Sequence, residues 1–414
     1  MISKKISSIR AFETLDSRGN PTVTVHVALD GGAFGTASVP SGASTGEAEA
    51  VERRDGDPDR YGGKGTRLVC ADSENRILPA VKGVDASCQR MLDGRLLSLD
   101  GSENKSVLGA NATLAVSLAA ARAAANAYDM PLYRYLGGLY GIASLPIPMM
   151  NILNGGRHAD NNVDIQEFMI APVGADNLSD AVRIGSEVYH ALRDLLKARG
   201  YATAVGDEGG FAPDLESDEA AIVLILEAIA KAGYDEETVA LALDVAASEW
   251  ADGDGYVLPS RGVRKTREEL CDMFEDWCEK YPIFSIEDPV GENDFAGWQL
   301  ITERLGPKIM LVGDDLFVTN TARLSLGIAR GMANAILIKP NQIGTLSETL
   351  DAIRLAAKND YKAVISHRSG ETSDTFISDL AVATGADFIK AGAPARGERV
   401  AKYNRLIQIE RLIE

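Results

Sequence analysis

Cysteine is scarce. Only Cys70, Cys88, Cys271 and Cys278 occur in 414 residues, and none forms a C-x-x-C pair. Such sparse usage excludes a disulfide scaffold and suits a reducing, cytoplasmic setting. Cys271 and Cys278 stand in a helix-like stretch at the spacing of one helix face. Long apolar runs are also missing. Residues 1–19 contain no apolar core of signal-peptide length. The Ala-rich stretch 109–128 comes nearest to a membrane span, but Asn111 and Arg122 interrupt it, so a buried helix is expected. Basic residues are outnumbered, 42 against 60 acidic, for a net charge of −18. A surface so negative repels phosphodiester backbones and anionic lipid, so neither nucleic acid nor membrane is an expected partner. An anionic substrate would need cations built into its own site.

What the chain does have is ordered change along its length. The first ~135 residues read as strands, then helices, an α+β pattern. Strand-like runs at 6–14 and 22–29 flank the turn Asp16-Ser17-Arg18-Gly19-Asn20-Pro21. Helical patterns are expected at 74–92 and 111–126. Prolines 146 and 148 mark a boundary, and beyond it apolar runs alternate with helical segments. Six runs end in a polar residue: 239–244, 283–287, 309–314, 335–339, 363–367 and 388–390. After the first gap, the ends recur at the interval of one strand, one helix and two loops. Repeated units with nearly all-apolar strands predict a parallel sheet under helices, closed into a barrel.

Active sites of such barrels are built at the C-terminal strand ends. Asp244, Glu287, Asp314, Lys339, His367 and Lys390 terminate the six runs and would ring that mouth. Three carboxylates left unpaired there would cost several kcal/mol. An all-oxygen ligand set suits Mg²⁺ rather than zinc, which makes Asp244, Glu287 and Asp314 the expected metal ligands. Arg368 and Ser369, beside His367, can cradle a phosphate. A lysine beside a metal and other cations has a lowered proton affinity and can act as a base. A metal, an anion clamp and a lysine suit proton abstraction next to a carboxylate. Loss of a hydroxyl then needs a general acid, for which Glu167 and Glu208 are the candidates. Glu208 lies in a Gly-rich turn, expected to let backbone and ligand approach closely.

Eight motifs together resemble the enolase family: SGASTG at 41–46, NGGRHAD at 154–160, QEF at 166–168, SIED at 285–288, GDDL at 313–316, IKPNQI at 338–343, SHRSG at 366–370 and GAPAR at 392–396. They occur in family order and span nearly the whole chain. The resemblance implies an α/β fold, with a small α+β N-terminal domain (1–135, lid loop 38–46) followed by an enolase-type, TIM-like barrel (143–414) whose first units depart from regular order. It implies reversible dehydration of 2-phosphoglycerate to phosphoenolpyruvate. Lys339 resembles the base, and Glu208, supported by Glu167, the acid. Lys390 stabilises the enolate, and His158 and His367 line the site. Arg368, Ser369 and Gln166 bind substrate. Asp244, Glu287 and Asp314 hold the tighter Mg²⁺, while Ser41 belongs to the loop that closes and recruits a second Mg²⁺ with substrate. A homodimer or homo-octamer is implied. A paralogue acting on a phosphonate or related carboxylate is the alternative. Thr24, Arg53, Ser373 and the stretch 69–74 depart from the family pattern outside the catalytic positions. His26 and His190 fall outside the motifs and are expected to be structural.

Overall fold

The structure, a computed structural model, describes residues 3–43, 46–138 and 144–413. Ser44 and Thr45 of the expected lid loop, and residue 143 of the expected boundary, lie outside the described residues.

The N-terminal part begins with an antiparallel sheet, β1 (Ile6–Leu15), β2 (Pro21–Leu29) and β3 (Phe34–Ser38). Strict alternation builds it: Val23, Val25, Val27 and Leu29 are buried, while Thr24 and His26 lie on the other face. The expected turn at 16–21 closes β1 onto β2, with Asp16 Oδ1 accepting from the N–H groups of Arg18 and Asn20 at 2.9 Å each. The Ala-rich segment forms the helix Ala110–Ala127, which lies on this sheet. A Cβ on Gly35 would come within 2.3 Å of the backbone of Ala119 and Ala123, so helix and strand touch main chain to main chain. No helix of the described residues is long and apolar enough to cross a membrane.

The expected helix over 74–92 is interrupted. A π-helical turn (Ser73–Ile77) and a short helix (Leu78–Val81) lead to Gly83, which has φ +80°, and a new helix starts at Gln89. The intervening segment pairs with β1: Ile6 donates to Val84 O at 2.9 Å and Gly83 to Ile6 O at 2.8 Å. Pairing with the sheet edge outweighs the helical periodicity of the segment.

Eight strands close a barrel. β4 (Ile147–Asn154) and β5 (Glu167–Ala171) are followed, after two helices, by β6 (Ala240–Asp244). A separate antiparallel sheet, β7 (Ala251–Asp252), β8 (Gly255–Leu258) and β9 (Val263–Lys265), leads to the helix Arg267–Lys280. Then come β10 (Ile283–Glu287), β11 (Met310–Gly313), β12 (Ala335–Ile338), β13 (Lys362–Ser366) and β14 (Phe388–Lys390). All six apolar runs are barrel strands. The order is β10-β11-β12-β13-β14-β4-β5-β6, parallel throughout except that β5 runs against both neighbours. That reversal is the irregularity expected before residue 239. Met149, Met169, Met310, Val312, Leu337 and Val364 fill the interior, so the barrel is packed below its mouth.

The first sheet and the barrel mouth are stitched together. Ser41 and Gly370 exchange backbone hydrogen bonds at 2.8 and 2.9 Å. Arg122 grips Asp374 with both terminal nitrogens, at 2.6 and 2.7 Å, and Asp374 also accepts from Ser38 N. At Gly370 a Cβ would lie 2.5 Å from Asp16 Oδ2 and 2.7 Å from Ser41 O. Gly370→Ala is therefore expected to destabilise the protein by about 1–3 kcal/mol through overpacking. Urea denaturation measures this, and an unchanged midpoint would show that the stitch has slack.

Candidate active site

Strand register sets the first row of the site. Glu167 on β5, Asp244 on β6 and Glu287 on β10 are direct partners at one level of the sheet. All three are buried. Lys390, the last residue of β14, reaches across the mouth. Its ammonium donates to Asp244 Oδ2 and Glu287 Oε2 at 2.8 Å each and lies 3.2 Å from Glu167 Oε1. Burial works against the charged lysine, but the three carboxylates outweigh it and hold its proton affinity well above the ordinary range. Burial, then Asp244, pushes the Glu287 carboxyl well up. Glu287 Oε1 is buried with no hydrogen-bond partner among the described residues.

Asp314 follows β11 and pairs with Lys339, which follows β12. Gln342 Nε2 also donates to Asp314 Oδ1 at 2.8 Å. In the metal-free site burial lowers the proton affinity of Lys339, but Asp314 raises it, and with Arg368 set against Glu287 the net direction is upward. Without a cation on the carboxylates, the ion pair keeps the lysine charged.

A second row carries the acid–base groups. His158 follows β4, and its Nδ1 lies 3.4 Å from Glu167 Oε1 and 3.6 Å from Glu208 Oε1. Glu208 Oε2 accepts from Asn151 Nδ2 at 3.0 Å and lies 3.3 Å from His367 Nε2. Arg399 Nη1 meets His367 Nδ1 at 2.5 Å. An arginine can only donate, so Nδ1 is the acceptor and Nε2, the nitrogen nearer Glu208, carries the hydrogen. Burial lowers the His367 ring to about 3, which keeps it neutral. Burial, then the Glu208 charge, pushes the Glu167 carboxyl up to about 7. Glu208 moves the other way: burial raises it too, but His367 and His158 outweigh that and hold it well below the usual carboxylate range, so the two carboxyls titrate as a coupled pair.

The Gly-rich turn around Glu208 allows close packing of the turn on its neighbours. A Cβ on Gly206 would meet His158 O at 2.5 Å, and one on Gly210 would meet Asn154 Oδ1 at 2.6 Å. The turn lies against β4 because Phe211 N donates to Ile152 O at 2.9 Å and Asn154 N to Phe211 O at 2.8 Å.

Arg368 and Ser369 follow β13. Arg368 is bound two-fold by Glu49, and Ser369 Oγ accepts from Ala43 N at 2.7 Å. Gln166 Nε2 donates to Asp244 Oδ2 at 3.3 Å. Ser41 is buried at the edge of the first sheet. Its hydroxyl donates to Glu52 at 2.8 Å and accepts from Arg54 at 3.0 Å. His26 bonds Thr36 on the N-terminal sheet and His190 packs edge-on against Tyr189, both away from the site. Sequence reasoning missed Asn151, Glu49, Gln342 and Arg399. Arg399 is fully buried and also donates to the carbonyls of Arg368 and Ser369 at 2.6 and 2.5 Å. A single arginine on a helix carries no signal of such a role.

Oxygen-only ligation suits the three strand-end carboxylates to a hard divalent cation, and the unpartnered Glu287 Oε1 is available to one. The closest-set ligand groups among the described residues are different ones: His158–Glu167–Glu208 and Asp288–Asp314–Asp315. Asp288 spends both oxygens on the N–H groups of Asp314 and Asp315, at 2.9 and 2.8 Å, so it shapes the loop.

Lys390→Met would leave three buried carboxylates without their cation. It is expected to cost about 3–5 kcal/mol in metal-free protein, with part restored by millimolar Mg²⁺. Thermal unfolding with and without the ion reads both, and an unchanged melting temperature would remove Lys390 from this role. Glu167 gives a pH signature. Folding raises its proton affinity, so its contribution to stability is whole below about 4.5 and is lost as pH rises through about 7. Urea denaturation of metal-free protein should show this decline between those limits, and Glu167→Gln should flatten it. Equal slopes in both proteins would place the proton elsewhere.

Two family models match the chain. "Enolase, N-terminal domain" covers residues 6–136 and "Enolase, C-terminal TIM barrel domain" covers residues 142–414. The sheet-and-helix module, the closed barrel with one reversed strand and the charged strand ends agree with both: the chain belongs to the enolase family.

Proposed function

We propose that this chain interconverts 2-phosphoglycerate and phosphoenolpyruvate, the carbon–oxygen lyase step of glycolysis and gluconeogenesis, with Mg²⁺ as cofactor. One observation carries this reading. A single small cavity, with about 10 Å³ of free space, is lined in common by Lys339, Glu167, Glu208, Lys390, Arg368 and Ser369. A base, an acid pair and an anion clamp thus share one wall-to-wall space. The space is small because the charged side chains rest on each other, and a ligand must part them.

In this reading Arg368 and Ser369 hold the phosphoryl group and Gln166 the neighbouring polar atoms. Lys339, as the neutral amine, removes the C2 proton. The C–H electron pair moves toward the substrate carboxylate, where Lys390 offers positive charge. It returns to form the C2–C3 double bond as the C3–O bond breaks. The hydroxyl leaves as water with the proton shared by Glu167 and Glu208. His158 and His367 hold that pair in place. Asp244, Glu287 and Asp314 would hold the cation, which when bound supplies charge to the substrate carboxylate and competes with Lys339 for Asp314.

Turnover of 2-phosphoglycerate, followed by the ultraviolet absorbance of the enol product, should require Mg²⁺ and stop with excess chelator. Lys339→Ala should lower kcat by about 10²–10⁴-fold and abolish exchange of the C2 proton with deuterated water. Glu208→Gln should lose turnover yet keep that exchange. Normal turnover by Lys339→Ala would dismiss the base assignment. A folded, metal-loaded chain that ignores 2-phosphoglycerate but converts a phosphonate analogue would move the activity to the paralogue.

A further inference from the structure

Glu49 lies outside all eight motifs, yet it makes the most ligand-like contact at the barrel mouth. Its carboxylate sits two-point on Arg368, with Nη1 to Oε2 at 2.9 Å and Nη2 to Oε1 at 3.2 Å. Oε1 also accepts from the backbone N–H of Gly46 at 3.1 Å and from Gln342 Nε2 at 3.3 Å. The pair is withdrawn from water: the side chains are 4% and 8% exposed. A guanidinium fork, an amide and a backbone N–H converging on one anion form the donor set that recognises a phosphoryl group. Here a side-chain carboxylate fills it.

We propose that Glu49 is an internal competitor for the Arg368 guanidinium, seated where the substrate's phosphoryl group binds, so that it selects which anions the site accepts. The inference rests on Arg368 being the phosphate-binding residue. A ligand that offers Arg368 only a carboxylate brings no more charge than Glu49 already supplies. A phosphoryl group brings an additional negative charge and a third oxygen, and it displaces Glu49. Apparent affinity is then the intrinsic affinity reduced by the fraction of molecules whose Arg368 is open. The displaced side chain has room. Glu49 also borders a cavity of about 800 Å³, lined by Arg18, Arg54 and Lys64 together with Glu47 and Glu52, where water can solvate a carboxylate.

A purely structural Glu49, tying its loop to the barrel, makes the opposite prediction for its removal. Inorganic phosphate is the probe, titrated calorimetrically into chelator-treated protein at fixed ionic strength. The proteins are the parent, Glu49→Gln, Glu49→Ala and Arg368→Gln, each checked for native circular dichroism. The expected result is binding about tenfold or more tighter in both Glu49 variants than in the parent, and none in Arg368→Gln. Equal or weaker binding in the Glu49 variants, with binding lost in Arg368→Gln, would overturn the competition and leave the phosphate site standing. Undiminished binding in Arg368→Gln would overturn the phosphate assignment and this inference together.

Discussion

Three buried carboxylates on one level of a barrel cannot stand alone. Each charge removed from water costs several kcal/mol, and neighbours of the same sign add to it. The Lys390 ammonium, in reach of Glu167, Asp244 and Glu287, is what makes that row compatible with a folded chain. Much of the mouth follows from this constraint. Lys339 does the same for Asp314, Arg368 for Glu49, and Arg399 orients His367 toward Glu208. An acidic protein thereby gathers several of its buried cations at the barrel mouth.

The same pairing explains how proton affinities part company. Glu167 and Glu208 are both fully enclosed, but Glu208 faces the Asn151 amide and the His367 N–H, whereas Glu167 has a buried oxygen with no partner among the described residues. Burial and the neighbouring anion raise the second, while the groups facing the first outweigh its burial and lower it. Their proton affinities are set by surroundings, since the two side chains are chemically identical.

Much of this was legible in the chain. The six apolar runs announced six barrel strands, and their polar ends announced six side chains at the mouth. β4 and β5 were not foreseen. Pro148 lies inside β4 and argues against a strand, and β5 offers only four apolar residues after Glu167, without alternation. The break at Gly83 escaped because helical periodicity on either side hid the pairing of residues 83–86 with the sheet edge. Glu49, Gln342 and Arg399 act through partners far away in sequence, and spacing carries no trace of such partners. The hydrogen bonds of Ser41 to Glu52 and Arg54 were equally invisible in its motif.

The barrel closes by pairing β14 with β4, and the first sheet is stitched to residues 370 and 374. These contacts give the molecule a timetable during synthesis. A nascent chain ending before residue 362 already carries Glu167, Asp244 and Glu287, but not Lys390, Arg368 or the strand that covers the β4 edge. Its barrel is open and its acidic row lacks its cation. The first sheet, synthesised before the barrel, waits for residues 370 and 374 before it has a mouth to cover. Synthesis of β14, closure of the sheet and neutralisation of the site thus coincide in one late event.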